Sequence, residues 1–223
     1  ATRIKHLLQN KLIHYFSWDC SEDLDLSYLP EKIDYCFFCS GYGQPSKFLK
    51  NNVKTSLINV LGPKSILEFM HNKGGNFLFL STSELYGDAD VIPTPEEYCG
   101  SYDLHNNRAA YKVSKSLGEV LCKEYNKSQN LNIKIARVAL TYGPGALLSD
   151  KRVLQEFIFK ANDGEIKMLD SGDSKRNYLY LTNSVELLIK IISQGEHMVY
   201  NVGGDTEQVT IFDLANKVSK TIK

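Results

Sequence analysis

No stretch of this 223-residue chain approaches 18 uncharged apolar residues, so an ordinary membrane-spanning helix is not expected. There is no excess charge of either sign: 26 Lys and Arg stand against 26 Asp and Glu, and no global field recommends nucleic acid or an anionic membrane as partner. Any anion site must be local. Cysteine is scarce and odd in number, with five residues at positions 20, 36, 39, 99 and 122. Cys36-Phe-Phe-Cys39 has redox or metal spacing, but it lies in an apolar run with no second pair to complete a zinc site, so it reads as reduced cysteines in a buried strand. The five histidines lack a ligand spacing such as His-Glu-x-x-His, and no metal is expected. Neither an internal repeat, a low-complexity tract nor a signal peptide is visible. The expectation is a soluble cytoplasmic protein with one sizeable core, or a core with a small lobe.

What is present is an alternation of short apolar runs with helical patterns, the signature of a parallel sheet covered by helices. Strands are expected at 11–18, 33–39, 76–81, 132–138, 177–181 and 198–202. Helices are expected at 51–72, 108–128, 152–162 and 183–194, and another is opened by Thr210 as N-cap. Pro63 should kink or interrupt the first of these. The fold class is α/β, a doubly wound parallel sheet, and the turn Gly143-Pro144-Gly145 marks a change of lobe. Ligands of open α/β sheets sit at the carboxyl ends of the strands. Asp19 and Cys20, Ser40 and Gly41, Thr82 to Glu84, and Thr141 to Pro144 all fall there.

Tyr followed four residues later by Lys occurs twice, as Tyr28/Lys32 and Tyr111/Lys115. Pro30 argues against a continuous helix at the first pair. The second lies in a segment where Ala110, Val113, Leu117, Val120, Leu121 and Tyr125 recur at helical spacing, so its phenol and ammonium share a face. A nearby cation favours the phenolate, which makes Tyr111 and Lys115 a proton-transfer unit. About thirty residues earlier stands Ser81-Thr-Ser-Glu-Leu-Tyr-Gly87, and together the two segments suggest a nicotinamide-dependent active site.

These segments resemble the extended short-chain dehydrogenase/reductases, and within them the NAD-dependent nucleotide-sugar epimerases and dehydratases. Ser81–Gly87 is similar to the family's Ser/Thr-Ser-x-Glu-x-Tyr-Gly, and Tyr111-x-x-x-Lys115 to its catalytic pair. Arg137-Val-Ala-Leu-Thr-Tyr-Gly-Pro144 is similar to its Arg-x-x-Asn-x-Tyr-Gly-Pro. Ser171–Leu181 resembles the segment that brings an Arg, here Arg176, to the nucleotide diphosphate or sugar. The form Ser-Thr-Ser-Glu and the stretch 152–158 are most like the branch that decarboxylates UDP-glucuronate, with the dTDP-glucose 4,6-dehydratases next.

The resemblance implies NAD as cofactor, a nucleotide sugar as substrate and a homodimer. It implies Tyr111, Lys115, Thr82 and Glu84 as catalytic residues. Asp19, Cys20, Ser40, Gly41, Tyr111 and Lys115 would hold the cofactor, and Ser83, Arg152 and Arg176 the substrate. Asp19 has a second reading, capping the turn that begins at Ser21. Glu84 and Arg176 could also be plain surface charges, whereas Arg137 reads as structural and Tyr86, Tyr142, Tyr178 and Tyr180 as core aromatics.

The implied Rossmann-like, NAD-binding domain covers 1–142 and 177–205 and lacks the N-terminal unit with its glycine-rich phosphate loop. The implied substrate-binding lobe covers 143–176 and 206–223 and is incomplete at its C-terminus. Leu140 stands where the family has Asn, Gly145 where Arg often follows Gly-Pro, and Glu156 where Asn is common. Three functions are therefore expected in turn: an NAD-dependent nucleotide-sugar epimerase, dehydratase or decarboxylase working through a 4-keto sugar; a catalytically impaired relative serving as a binding subunit; or an NAD(P)-dependent reductase of a non-nucleotide carbonyl.

Overall fold

A computed structural model describes residues 4–71, 73–128, 131–147, 149–204 and 208–222. Its elements, in chain order, are β1 (Tyr35–Phe38), α1 (Pro45–Phe48), α2 (Asn52–Met70), β2 (Asn76–Thr82), α3 (Ala109–Ser128), β3 (Asn132–Val138) and β4 (Leu140–Tyr142), then α4 (Val153–Asn162), β5 (Lys175–Arg176), β6 (Tyr178–Tyr180), α5 (Leu181–Gln194), β7 (Val199–Val202), β8 (Val209–Thr210) and α6 (Ile211–Thr221).

The main sheet is parallel, in the order β1-β2-β3-β7. Successive side chains of a strand point to opposite faces, and both faces here are covered. Phe77, Phe79, Ile133 and Ile135 pack with Phe38 against Ile66, Leu67 and Met70 of α2 and Cys122 of α3. Their neighbours Leu78 and Ala136 pack with Val202 against Leu188, Ile191 and Ile192 of α5. The sheet is doubly wound, as the alternation of runs implied. Each such side chain fully buried contributes roughly 1.5–3 kcal/mol. A separate cluster joins Phe157 of α4 to Leu214, Ala215 and Val218 of α6. It lies beside the antiparallel pair β5 and β8, and α6 is capped by Thr210, whose hydroxyl accepts from the Asp213 N–H at 2.9 Å.

Three expectations are corrected. Residues 11–18 form no strand. Ile13, Tyr15 and Phe16 are exposed, and no strand among the described residues runs beside them to take up their main-chain groups; Phe16 stacks on Tyr28 instead. Pro63 does not interrupt α2. A proline cannot donate to the carbonyl four residues earlier, here that of Asn59, and α3 comes close to that carbonyl at Gly118. A side-chain carbon at Gly118 would stand 2.8 Å from the Asn59 carbonyl oxygen and 2.6 Å from the Phe79 ring. Finally, Tyr142 and Tyr180 are not core residues but 41% and 40% exposed, because they sit on the small two-stranded sheet of β4 and β6, with Tyr142 edge-on to both Tyr178 and Tyr180. Tyr86 is buried as expected.

Among the described residues β1 is the first strand of the main sheet and pairs with β2, and its Tyr35 and Phe37 are exposed.

Candidate active site

The carboxyl end of β2 runs directly into a short 3-10 turn, Ser83–Tyr86. Thr82 caps it: its hydroxyl accepts from the Glu84 N–H at 3.2 Å, satisfying a donor that the turn leaves free. Ser83, half-buried, opens the turn. The same turn throws the Glu84 carboxylate toward the head of α3, where Arg108 Nη2 donates to it at 2.6 Å.

Three residues into α3, Tyr111 is buried. The Thr82 side chain stands near enough to its phenol to influence its ionisation, so two of the expected catalytic residues meet. Burial pushes the Tyr111 pKa up; the Thr82 side chain acts against that, the Glu84 charge adds to it, and the Arg108 charge opposes it. One side of the phenol ring is closed by Phe48 of α1, with ring centroids 4.6 Å apart and planes within 5°. Phe48 in turn lies under the Arg108 guanidinium, 5.1 Å from its carbon.

Lys115 follows one turn later and is buried. Its ammonium donates to the Leu80 carbonyl at 2.7 Å and lies 4.7 Å from the centre of the Phe79 ring. Burial lowers its pKa to about 8. Gly41, after β1, closes over this group: a side-chain carbon there would stand 3.3 Å from Asn59 Oδ1 and 3.6 Å from Lys115 Nζ. Asn59 is fully buried; its Nδ2 donates to Ser114 Oγ at 3.0 Å, while its Oδ1 has no protein partner. Gly41, Asn59 and Lys115 thus frame a notch with a buried acceptor beside an ammonium.

Gly41 also lines a cavity of about 270 Å³ with Tyr42, Gly43, Gln44, Lys47 and Arg152. The structure therefore brings one expected cofactor residue, Gly41, to one expected substrate residue, Arg152. The Arg152 guanidinium forks onto buried Asp150, with Nε 3.0 Å and Nη2 2.7 Å from Oδ2. Arg176 is not brought to this cavity; it stands exposed on β5, donating to the Lys175 carbonyl at 2.7 Å. Cys20 and Ser40 meet, thiol to hydroxyl, at 3.1 Å. Asp19 takes its second reading as well: one oxygen accepts from the Ser21 N–H and hydroxyl, the other from Lys54. The Lys54 bond foremost, then those of Ser21, hold its carboxyl down at about 2.

The sequence pattern assigned no role to Phe48, Asn59 or Glu119, and none to Arg108, although Arg108 opens the expected helix 108–128. A signal existed for Arg108 and Glu119, a charge three residues before Tyr111 and one four residues after Lys115 on the same helix. Phe48 comes from α1, a helix of four residues, and carries none. Arg137 is structural, as expected, paired with Glu119 inside the protein. Among the described residues no cluster of three or more His, Cys, Asp or Glu could hold a metal, and no helix is long and apolar enough to cross a membrane.

The two-faced parallel sheet is a fold shared by solved proteins. The chain superposes on a UDP-glucose 4-epimerase with UDP-glucose from Thermotoga maritima with a TM-score of 0.77 at 22% identity, covering 85% of this chain and 61% of that one. It superposes on the Bordetella bronchiseptica enzyme WbmF, solved with NAD+ and UDP, with a TM-score of 0.73 at 24% identity, covering 92% and 62%. In sequence it is similar to UDP-glucuronic acid decarboxylase 6 of Arabidopsis thaliana, 32% identical over 193 residues, covering 86% of this chain and 56% of that protein. It is likewise similar to UDP-glucuronic acid decarboxylase 1 of Xenopus tropicalis, 28% identical over 205 residues, covering 92% and 48%. The chain spans about half the length of the curated relatives it matches. The NAD dependent epimerase/dehydratase family matches residues 3–203, and the chain belongs to it.

Proposed function

We propose that this chain carries the proton-transfer half of an NAD-dependent nucleotide-sugar epimerase, dehydratase or decarboxylase. The observation that carries the reading is Tyr111 held between Thr82 and Phe48 at the carboxyl end of β2, one helical turn from buried Lys115. The names of the relatives support a UDP-hexuronate or a related sugar nucleotide as substrate.

Tyr111 takes the proton of the sugar C4 hydroxyl, and Thr82, beside the phenol, hydrogen-bonds the C4 oxygen. Lys115 places a charge beside Tyr111 that favours the phenolate. A bound NAD would supply reversible hydride acceptance, the chemistry by which the C4 alcohol could become a ketone and be restored without net oxidation. The ketone acidifies the neighbouring carbon and permits loss of CO2, loss of water or inversion there, with Glu84 acting on that carbon or its carboxylate. The notch of Gly41, Asn59 and Lys115 suits a nicotinamide ribose: it offers one ammonium donor and one buried acceptor still without a partner. Asp19, Cys20, Ser40 and Gly41 complete the cofactor side, and Ser83, Arg152 and Arg176 the substrate side.

The lobe boundaries belong to the same reading. Residues 1–142 and 177–205 form the cofactor domain, and 143–176 with 206–223 the substrate lobe, supported by the separate cluster of α4 and α6. Homodimerisation through α2 and α3 is supported by exposed Val113, Leu117 and Val120 of α3 and by Val53 and Leu57 of α2. The free thiols fit a reducing, cytoplasmic setting.

The test is Tyr111→Phe in the full-length protein, assayed with UDP-glucuronate and followed by mass spectrometry of the sugar nucleotide. The expected result is lost turnover with an unchanged circular dichroism spectrum and melting curve; retained turnover overturns the mechanism.

A further inference from the structure

Glu84 and Tyr111 are linked through a third residue. The Arg108 guanidinium donates to Glu84 Oε2 at 2.6 Å and lies over Phe48, the ring that lies flat on Tyr111. A planar guanidinium can do both at once, forking to a carboxylate at its edge while its face rests on an aromatic ring. We propose that Arg108 is a positioning residue that fixes the Glu84 carboxylate beside the site, offsets its charge there, and clamps Phe48 against Tyr111. The proposal rests on Tyr111 as the group that exchanges the proton.

The charges acting on Tyr111 come from two places. Glu84 faces it from the turn after β2 and Arg108 from the head of α3; Lys115 lies one turn further along α3, and Phe48, from α1, contributes a ring and no charge. Without Arg108, Glu84 keeps its negative charge with no counter-ion beside a buried phenol. Ionising that phenol then places two negative charges together, which disfavours the phenolate. Arg108 and Glu84 are each about one-third exposed as side chains, at 36% and 33%. Replacing Arg108 therefore disturbs no fully buried core position, and the fold should survive.

The test reads the titration of Tyr111 directly, as the difference in phenolate ultraviolet absorbance between each protein and its Tyr111→Phe counterpart. No cofactor and no turnover are needed, so a failure here leaves the proposed reaction standing, while lost turnover in Tyr111→Phe is judged separately. Arg108→Gln should move the Tyr111 titration to higher pH, and adding Glu84→Gln should return it toward the wild-type position. Arg108→Lys keeps the charge and loses the planar fork, and should leave the titration close to wild type. An unmoved titration in Arg108→Gln, a shift that persists unchanged when Glu84 is also Gln, or an equal shift in Arg108→Lys each overturns the proposal. A merely structural role for Arg108 would show the shift irrespective of Glu84.

Discussion

Arg137 of β3 grips Glu119 of α3 at two points, Nε to Oε1 at 3.0 Å and Nη2 to Oε2 at 2.7 Å. Ser81, where the Ser-Thr-Ser-Glu segment begins, donates to the same Oε1 at 2.6 Å. On its other side Arg137 donates to the Tyr86 hydroxyl at 2.9 Å and to the Glu96 carbonyl at 2.8 Å. One buried ion pair thus ties the helix of Tyr111 and Lys115 to the strand end that carries Thr82.

Glu119→Ala leaves the Arg137 charge inside the protein without its partner, and breaking one half of a buried pair costs about 3–5 kcal/mol. Urea unfolding should show a loss of that order. Glu119→Gln, which still accepts hydrogen bonds, should lose less. Equal, small losses in both variants would mean that the pair contributes little.

Gly118→Ala should destabilise the protein by about 1–3 kcal/mol, the usual range for an overpacked core. The added carbon meets both the Asn59 carbonyl and the Phe79 ring closer than 3.0 Å. Gly43 is the control: a side-chain carbon there meets nothing within 4 Å, and its φ is not in the left-handed range, so Gly43→Ala should melt with the wild type. Thermal melts of the two variants side by side check the contrast.

Lys115 supplies a pH dependence with a definite sign. Burial lowers its folded-state pKa to about 8 from an ordinary value of 10.5. Between those values the unfolded chain holds the proton and the folded one does not, so stability rises with pH across that window, and the cost of burying the charge is fully present below it. Lys115→Met removes this behaviour. The stability of wild type relative to Lys115→Met should therefore rise by about 3 kcal/mol between pH 7 and pH 11, following the shift of roughly 2.5 pH units. A flat difference in denaturation curves across that range would contradict the buried, perturbed ammonium.

Much of this was legible in the sequence because it is local. Residues 132–138 form a strand at the expected bounds, since an apolar run covered on both faces is visible without knowing its neighbours. Tyr111 and Lys115 share a helix because a spacing of four fixes a common face, and Tyr28 and Lys32 do not, with Lys32 pairing to Asp34 instead. What periodicity could not report was partnership between distant segments. Residues 11–18 have the pattern of a strand, but a strand exists only where another lies beside it. Phe48 reaches Tyr111 from a short helix 63 positions away, and Glu84 finds Arg108 across 24 residues. The helix through Pro63 persisted as well, and the close approach of α3 to it at Gly118 was no more visible in the local pattern.

The buried Asn59 oxygen without a protein partner bears on affinity rather than on stability. An acceptor buried without a donor costs free energy in the fold, and a group that donates to it on binding recovers that cost as part of its own binding free energy.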